Sequence, residues 1–433
     1  MSDPLSGGGF DPRMFSQVPF FRELHKIMAW TGGPVNWDLA RQTAASVAST
    51  GPGQDRALRP GDRDEAEFAQ AVGVAELWLD GVTDLPAVEG PARTLSAEEW
   101  IALANSSDGL GLYLEPVAEG MSAALTSSLP EELKGMLGGG GGMPGGDALA
   151  GALGPMGAML FGMQVGTVSG SLAGQLLGTY DLGVPTVEPH TVGVVGGSAG
   201  RFAAEYDVDP AELRFWLALR EVAHRRQFAG VGWLRGHLAE LIRTFASQAD
   251  FDANGLLERF GGMGLDPEAL SDPERLRGAF EGADALAVEP TQAQRATLTR
   301  LQALVAFTEA WVDTVVRAAG HDKLPALPRI EEAMRRRRAA KGAGERYLEQ
   351  LVGLDLKPAD ADAGAAFCAA VLAARGQEGL DRAWRGPEYL PGAEELAEPS
   401  RWLVRLAAQE TDLDMLDERD LPAIPDDLGE LDE

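Results

Sequence analysis

Hydrophobic positions recur at helical spacing along most of the chain. Phe68, Val72 and Leu77 stand among acids and small residues between Asp62 and Leu79, which predicts one amphipathic helix there. Asn36-Trp37-Asp38-Leu39-Ala40 predicts a helix start, and Ser96-Ala97-Glu98-Glu99 another, with a Ser cap and an acid-rich first turn. The same style of short helices continues from Leu110 to Leu137. Asp209-Pro210-Ala211-Glu212 joins a capping Asp, a Pro suited to the first helical position and a Glu placed for a capping box, so a helix is expected from there to about Phe228. Another is expected from Trp233 to Ser247, and a long one from Thr291, with Gln294 three residues on, to about Gly320. The remainder up to Leu406 reads as helical pieces. Only Val184 to Ala199, Val-rich with Gly196-Gly197, predicts short strands. Nothing recurs at a fixed period, so a solenoid is not expected. The expected fold class is mostly α, with at most a few short strands.

Two further patterns set the organisation. Gly138 to Gly146 is almost all glycine and reads as a surface loop. Between Asp147 and Asp181 no residue is charged, and Gly162, Gly166, Gly170, Gly174 and Gly178 recur every four residues. That length could cross a bilayer, but Gln164, Thr167, Ser169, Ser171 and Gln175 interrupt it and no basic cluster flanks it. A buried central helix, crossed closely by others along its glycine ridge, is the expectation. The divisions are an N-terminal extension (1–32), a helical region (33–137), the glycine loop (138–146), a helical core (147–406) and an acidic tail (407–433). From Glu410 to Glu433 there are 11 acids against Arg419 alone, which reads as a solvated or loosely docked extension.

Charge narrows the function classes. With 37 Lys and Arg against 66 Asp and Glu, the net charge is −29. Such a chain is not expected to bind nucleic-acid phosphates or anionic membranes; a protein or peptide partner is the expectation. The single cysteine, Cys368, and a start without a basic and apolar leader point to a reducing, cytoplasmic setting.

The chemistry concentrates in Leu219-Arg220-Glu221-Val222-Ala223-His224. On a helix Arg220 and His224 share a face and Glu221 lies beside them, all within the apolar sector of Leu213, Trp216, Leu217, Ala223 and Phe228. Three such side chains are costly to bury unless they pair or bind something. The spacing is that of H-E-x-x-H, where two His grip zinc and the Glu is the general base. Here Arg220 replaces the first His, and a guanidinium has no lone pair for a metal. Glu309 intrudes likewise on the stripe of Leu298, Leu301, Val305, Val312 and Val316, with Asp313 one turn on. It needs a partner, and Arg220 or a metal held by His224 would serve.

The run ELRFWLALREVAHRRQFAGVGWLRGHL, with GGPVNWDLA before it and ALVAFTEAWVDTVV after it, resembles an actinobacterial family of zinc-dependent metalloprotease-like proteins. Its members are often labelled only hydrolase, and one branch is associated with deazaflavin-cofactor biosynthesis. The resemblance extends from about Gly33 to Leu406. It implies a zincin-like helical fold, with Glu221 as general base and His224 and Glu309 as zinc ligands; His237 and Asp313 are auxiliary candidates. Gln227 and Gly230 stand where the extended metzincin pattern needs Gly and His, which excludes that subclass.

Two readings follow. One is a zincin-family hydrolase, with zinc held by His224 and Glu309 plus a recruited group. The other is a metal-free pseudoenzyme, in which Arg220, Glu221, His224 and Glu309 form an ion-pair cluster and the helical body is a scaffold or binding protein. Arg220 favours no zinc, or zinc held weakly. Elsewhere His190 reads as a surface histidine, His321 as favourable charge at a helix C-terminus, Cys368 as a small core residue, and Arg335 to Arg338 as a solvated basic face or a dock for the tail. His25 has no visible companion.

Overall fold

The computed structural model describes residues 32–50, 60–127, 146–248, 291–340 and 358–417. His25, the glycine loop up to residue 145 and the tail beyond residue 417 lie outside the described residues. In the N-terminal half the helices are α1 (Trp37–Thr50), α2 (Asp62–Leu79), α3 (Ala97–Ala104), α4 (Gly111–Ser127) and α5 (Gly146–Ala173). There follow α6 (Gly196–Glu205), α7 (Pro210–Phe228), α8 (Leu234–Ser247), α9 (Gln292–Gly320), α10 (Leu327–Ala340), α11 (Pro358–Asp381), α12 (Ala393–Ala397) and α13 (Pro399–Asp417). The strands β1 (Ala92–Leu95) and β2 (Val192–Val195) pair in parallel, Ala92 opposite Val192. The architecture is mostly helical, as the hydrophobic pattern predicts. β2 falls inside the Val-rich stretch, whereas β1 was not expected: four residues, two of them polar, are too short to carry a period.

Several ends follow from local chemistry. Ser96 and Thr291 each build a reciprocal capping box, with Glu99 and Gln294. Asp209 caps α7 by accepting from the Ala211 and Glu212 amides. Glu212 does not complete a box; its carboxylate reaches out to the Ala326 amide at 2.6 Å, tying the start of α10 to α7. In α11 the backbone kinks at Gly376, whose φ of +68° is one that glycine adopts without strain. α13 runs across the expected start of the acidic tail, where Glu410 pairs with Arg375 and Arg382.

The charge-free segment is shorter as a helix than its composition suggests. Among the described residues no helix is long and apolar enough to cross a membrane. Gly162, Gly166 and Gly170 carry α1: a Cβ on each would fall 2.6, 2.5 and 2.6 Å from the carbonyl oxygens of Asn36, Ala40 and Ala44. The four-residue ridge of one helix thus lies on the four-residue ridge of the other. α5 ends at Ala173, so Gly174 and Gly178 leave that ridge. The carbonyls there are taken by side chains: Arg201 Nη2 donates to Gly174 O (2.6 Å) and Arg337 Nη2 to Gln175 O (3.0 Å). Gly178 instead forms an antiparallel bridge with Val194.

α7 is the axis of the molecule. Every residue from Trp216 to Phe228 is buried, polar ones included, with α2, α9, α10 and β2 packed around it.

The glycine ridge gives a direct test. Gly166→Ala should cost about 1–3 kcal/mol and lower the melting temperature, because the new methyl meets α1 backbone. Gly154→Ala, with nothing within 4 Å of its Cβ position, should leave stability unchanged or slightly raised. Equal effects in urea denaturation would contradict the ridge.

Candidate functional site

α7 and α9 present their polar intrusions to one another. Arg220 Nη2 donates to Glu309 Oε2 at 2.8 Å, and Arg220 Nη1 donates to Asp313 Oδ1. A second guanidinium arrives from α10: Arg338 Nη2 donates to the same Glu309 Oε2 at 2.8 Å, and Nη1 to Asp313 Oδ2 at 3.0 Å. Each arginine therefore bridges both carboxylates, closing a ring of two cations and two anions. The inner side is buried, with the Arg220 side chain 6% exposed. On the outer side Arg338 and Asp313 are 36% and 37% exposed. Trp216 covers the Arg220 guanidinium, 5.2 Å from ring centroid to Cζ.

Burial alone would raise the Glu309 carboxyl, but Arg220 and Arg338 hold it well below the usual carboxylate range. Asp313 is held down in the same way, by Arg338 and then Arg220. His224 lies at the inner rim, its Nε2 2.9 Å from Glu309 Oε1. That contact is close but not aligned as a hydrogen bond, and both His224 ring nitrogens and Glu309 Oε1 are buried without an aligned partner. Burial lowers the His224 pKa, against the pull of Glu309. Tyr180 stacks on the His224 ring, 5.2 Å between centroids and 3° between planes.

Glu221 is not part of this ring, contrary to the expected four-residue cluster. It sits in a separate cradle built by the segment after α5. Oε1 accepts from the Tyr180 amide (3.1 Å), and Oε2 from the Thr179 and Gly193 amides (3.2 Å each) and the Thr179 hydroxyl. A Cβ at Gly178 would overlap Glu221 Oε1, so glycine is what lets the backbone close over the carboxylate. Burial pushes the Glu221 pKa up to about 7, against these four donors.

The remaining charges of α7 face the opposite way. Arg225 and Arg226 both bind the Glu76 carboxylate of α2, and Arg226 also reaches Asp80 and the Leu85 carbonyl. Of the auxiliary candidates Asp313 joins the ring, while the His237 ring meets Trp233 edge-on. The basic run divides: Arg335 and Arg336 pair with Glu332 on the exposed face, whereas Arg337 reaches Asp181 and Arg338 the ring. His190 is exposed beside Glu188, His321 pairs with Asp322, and Cys368 is buried with its thiol pushed up to about 12.

The donor set does not suit zinc. Catalytic zinc takes about three protein ligands plus an open position. Glu309 Oε2 and both Asp313 oxygens are engaged by guanidinium N–H groups, and Arg220 occupies the place of a first imidazole. Only His224 Nε2 and Glu309 Oε1 remain, beside two fixed positive charges. Among the described residues no group of three or more His, Cys, Asp or Glu converges to hold a metal.

Comparison with known proteins agrees with the fold. The family described as zincin-like metallopeptidase matches residues 35–403. A protein from Chloroflexus aurantiacus, whose crystal structure is described as a candidate hydrolase with a novel fold, is similar over 86% of this chain and 99% of its own, at 23% identity and a TM-score of 0.58. No curated protein matches the chain.

Two outcomes test the geometry. Arg220→Ala should destabilise the protein by about 3 kcal/mol, the low end for a broken buried pair because Arg338 remains and Asp313 reaches solvent; an unchanged urea midpoint would count against the ring. The Glu221 pKa is raised from 4.5 to about 7, so between those pH values the folded chain holds a proton that the unfolded chain has lost. The stability contributed by this group is thus present below pH 4.5 and falls as pH rises through 7. Glu221→Gln removes the titration, so the stability of the parent relative to the variant should fall by about 2.5 kcal/mol from pH 5 to pH 8; a pH-independent difference would refute the cradle's energetics.

Proposed function

The chain belongs to the zincin-like metallopeptidase family, and we propose that it is a metal-free member whose helical body serves as a scaffold or binding protein rather than a hydrolase. The observation that carries this reading is the ring in which Arg220 and Arg338 each bridge Glu309 and Asp313. A guanidinium supplies the positive charge that a metal would supply, but offers no coordination position at which water could ionise. The base is engaged as well: Glu221 accepts four hydrogen bonds from its own fold. What the site retains is a partly exposed outer edge, Asp313 and Arg338, at the meeting of α7, α9 and α10. We assign that edge to recognition of a protein or peptide. A net charge of −29 disfavours nucleic acid as the partner, and a single buried cysteine supports a cytoplasmic setting.

One observation favours the zinc-hydrolase reading. His224 Nε2 and Glu309 Oε1 face each other at 2.9 Å, both buried and neither in an aligned hydrogen bond. In that reading these two atoms hold zinc and a further group completes the site.

Elemental analysis of protein purified without chelators separates the two. The metal-free reading expects well under one zinc per chain, before and after zinc supplementation and unchanged by His224→Ala. Near-stoichiometric zinc that disappears in His224→Ala would overturn it.

A further inference from the structure

A second opening in the molecule shares no residue with the ring. It lies between the segment that follows α5, one face of α6 and the end of α10, with a volume of about 300 Å³, at the low end for small-molecule sites. Ser198, Arg201, Phe202 and Glu205 stand at i, i+3, i+4 and i+7 on α6, so a single helix face forms one wall. Part of the lining is apolar: Leu177 and Phe202 are buried, and the half-buried Tyr206 ring meets Phe202 at 4.8 Å between centroids. Two guanidiniums reach the opening, and their situations differ. Arg337 is neutralised by Asp181, which it holds through both Nη atoms. Arg201 Nη2 donates to Gly174 O and Ser198 Oγ, but among the described residues no carboxylate pairs with it. Glu205, one turn further along α6, is exposed and pairs with no cation among the described residues. Arg before Glu is the weaker order for a helical pair, so both charges stay open to a ligand.

We infer that this pocket binds the α-carboxylate and apolar side chain of an amino acid, free or at the C-terminus of a peptide. Arg201 keeps Nε and Nη1 as donors for the carboxylate, since only Nη2 is engaged by the fold. One uncompensated cation matches a monoanion. A phosphate dianion would instead meet the Glu205 carboxylate and an Arg337 whose charge Asp181 already balances. Gln175 donates Nε2 to Ser171 O, which leaves its Oε1 as an acceptor. That oxygen and Glu205 take the amino group or amide N–H that stands beside every such carboxylate. The apolar side chain lies on Leu177, Phe202 and Tyr206, which selects a large aliphatic or aromatic residue. The net charge of −29 repels a bare anion, whereas a free amino acid with an apolar side chain carries no net charge.

The test is isothermal titration calorimetry of the full chain with L-phenylalanine, glycyl-glycyl-phenylalanine, phenylalaninamide and inorganic phosphate. At least one of the two acids should saturate a single site per chain, with the amide and phosphate weaker by about tenfold or more. Arg201→Gln, which keeps a donor for Gly174 O, should weaken the acid by about the same factor. Glu205→Gln should weaken phenylalanine and leave the tripeptide within about twofold, because only the free amino acid places an ammonium beside that carboxylate. Tighter phenylalanine identifies free amino acid as the source, and tighter tripeptide a peptide C-terminus; either result supports the site. If Arg201→Gln does not fold, the comparison of acid with amide on the parent chain decides alone. No saturable binding of either acid, equal binding of the amide or of phosphate, or full affinity in folded Arg201→Gln overturns the inference.

Discussion

The structure turns on one electrostatic constraint: α7 is buried along its whole second half yet carries Arg220, Glu221, His224, Arg225, Arg226 and Gln227 there. A charge taken out of water costs several kcal/mol unless a partner and hydrogen bonds replace the solvent. The neighbouring elements are accordingly fitted to that helix by charge as well as by shape. α9 brings Glu309 and Asp313, α2 brings Glu76 and Asp80, and α10 adds Arg338 to balance the first pair. Gln227 finds the Thr308 carbonyl. Apolar packing alone would leave the rotation of these helices loosely specified; two-pronged pairs fix it.

Glu221 is satisfied by a different means, and the difference matters for function. Among the described residues it has no cationic partner, and backbone amides stand in for solvent around it. Amide dipoles only partly offset the loss of water, which leaves its pKa near neutrality where Glu309 is held far below. Tyr180 connects the two environments, donating its amide to Glu221 while its ring lies flat on His224. Within this zincin-like framework the Glu221 carboxylate is drawn into the backbone, and the Arg220 guanidinium lies between α7 and α9. There the guanidinium supplies positive charge between the two helices.

Glycine serves two kinds of close approach here. Along α5 it lets α1 lie carbonyl to helix at 2.5–2.6 Å from where methyls would be, a contact made of many small dispersion terms. At Gly178 it lets a loop close over one carboxylate. Both belong to a single four-residue series in the sequence, yet only the first three members considered, Gly162, Gly166 and Gly170, lie on the helix.

The sequence by itself determined the mostly helical class, the ends of α7 and α9, and the residues whose burial would require partners. Those properties are local: caps act within one turn, and a 3.6-residue period is visible in any window long enough to hold it. The pairing of Arg220 with Glu309 was legible as one of two alternatives, the other being a metal held by His224, since two apolar stripes each carried one unlike charge. Tertiary structure alone decided that Glu221 turns away into the Thr179–Gly193 cradle, that Arg338 is the second cation rather than part of a solvated face, and that α5 ends at Ala173. Each of these depends on segments brought together from distant parts of the chain, where a side chain's partner is set by the direction in which a helix presents it and by what packs opposite. Spacing along the sequence carries the first of these in part and the second not at all.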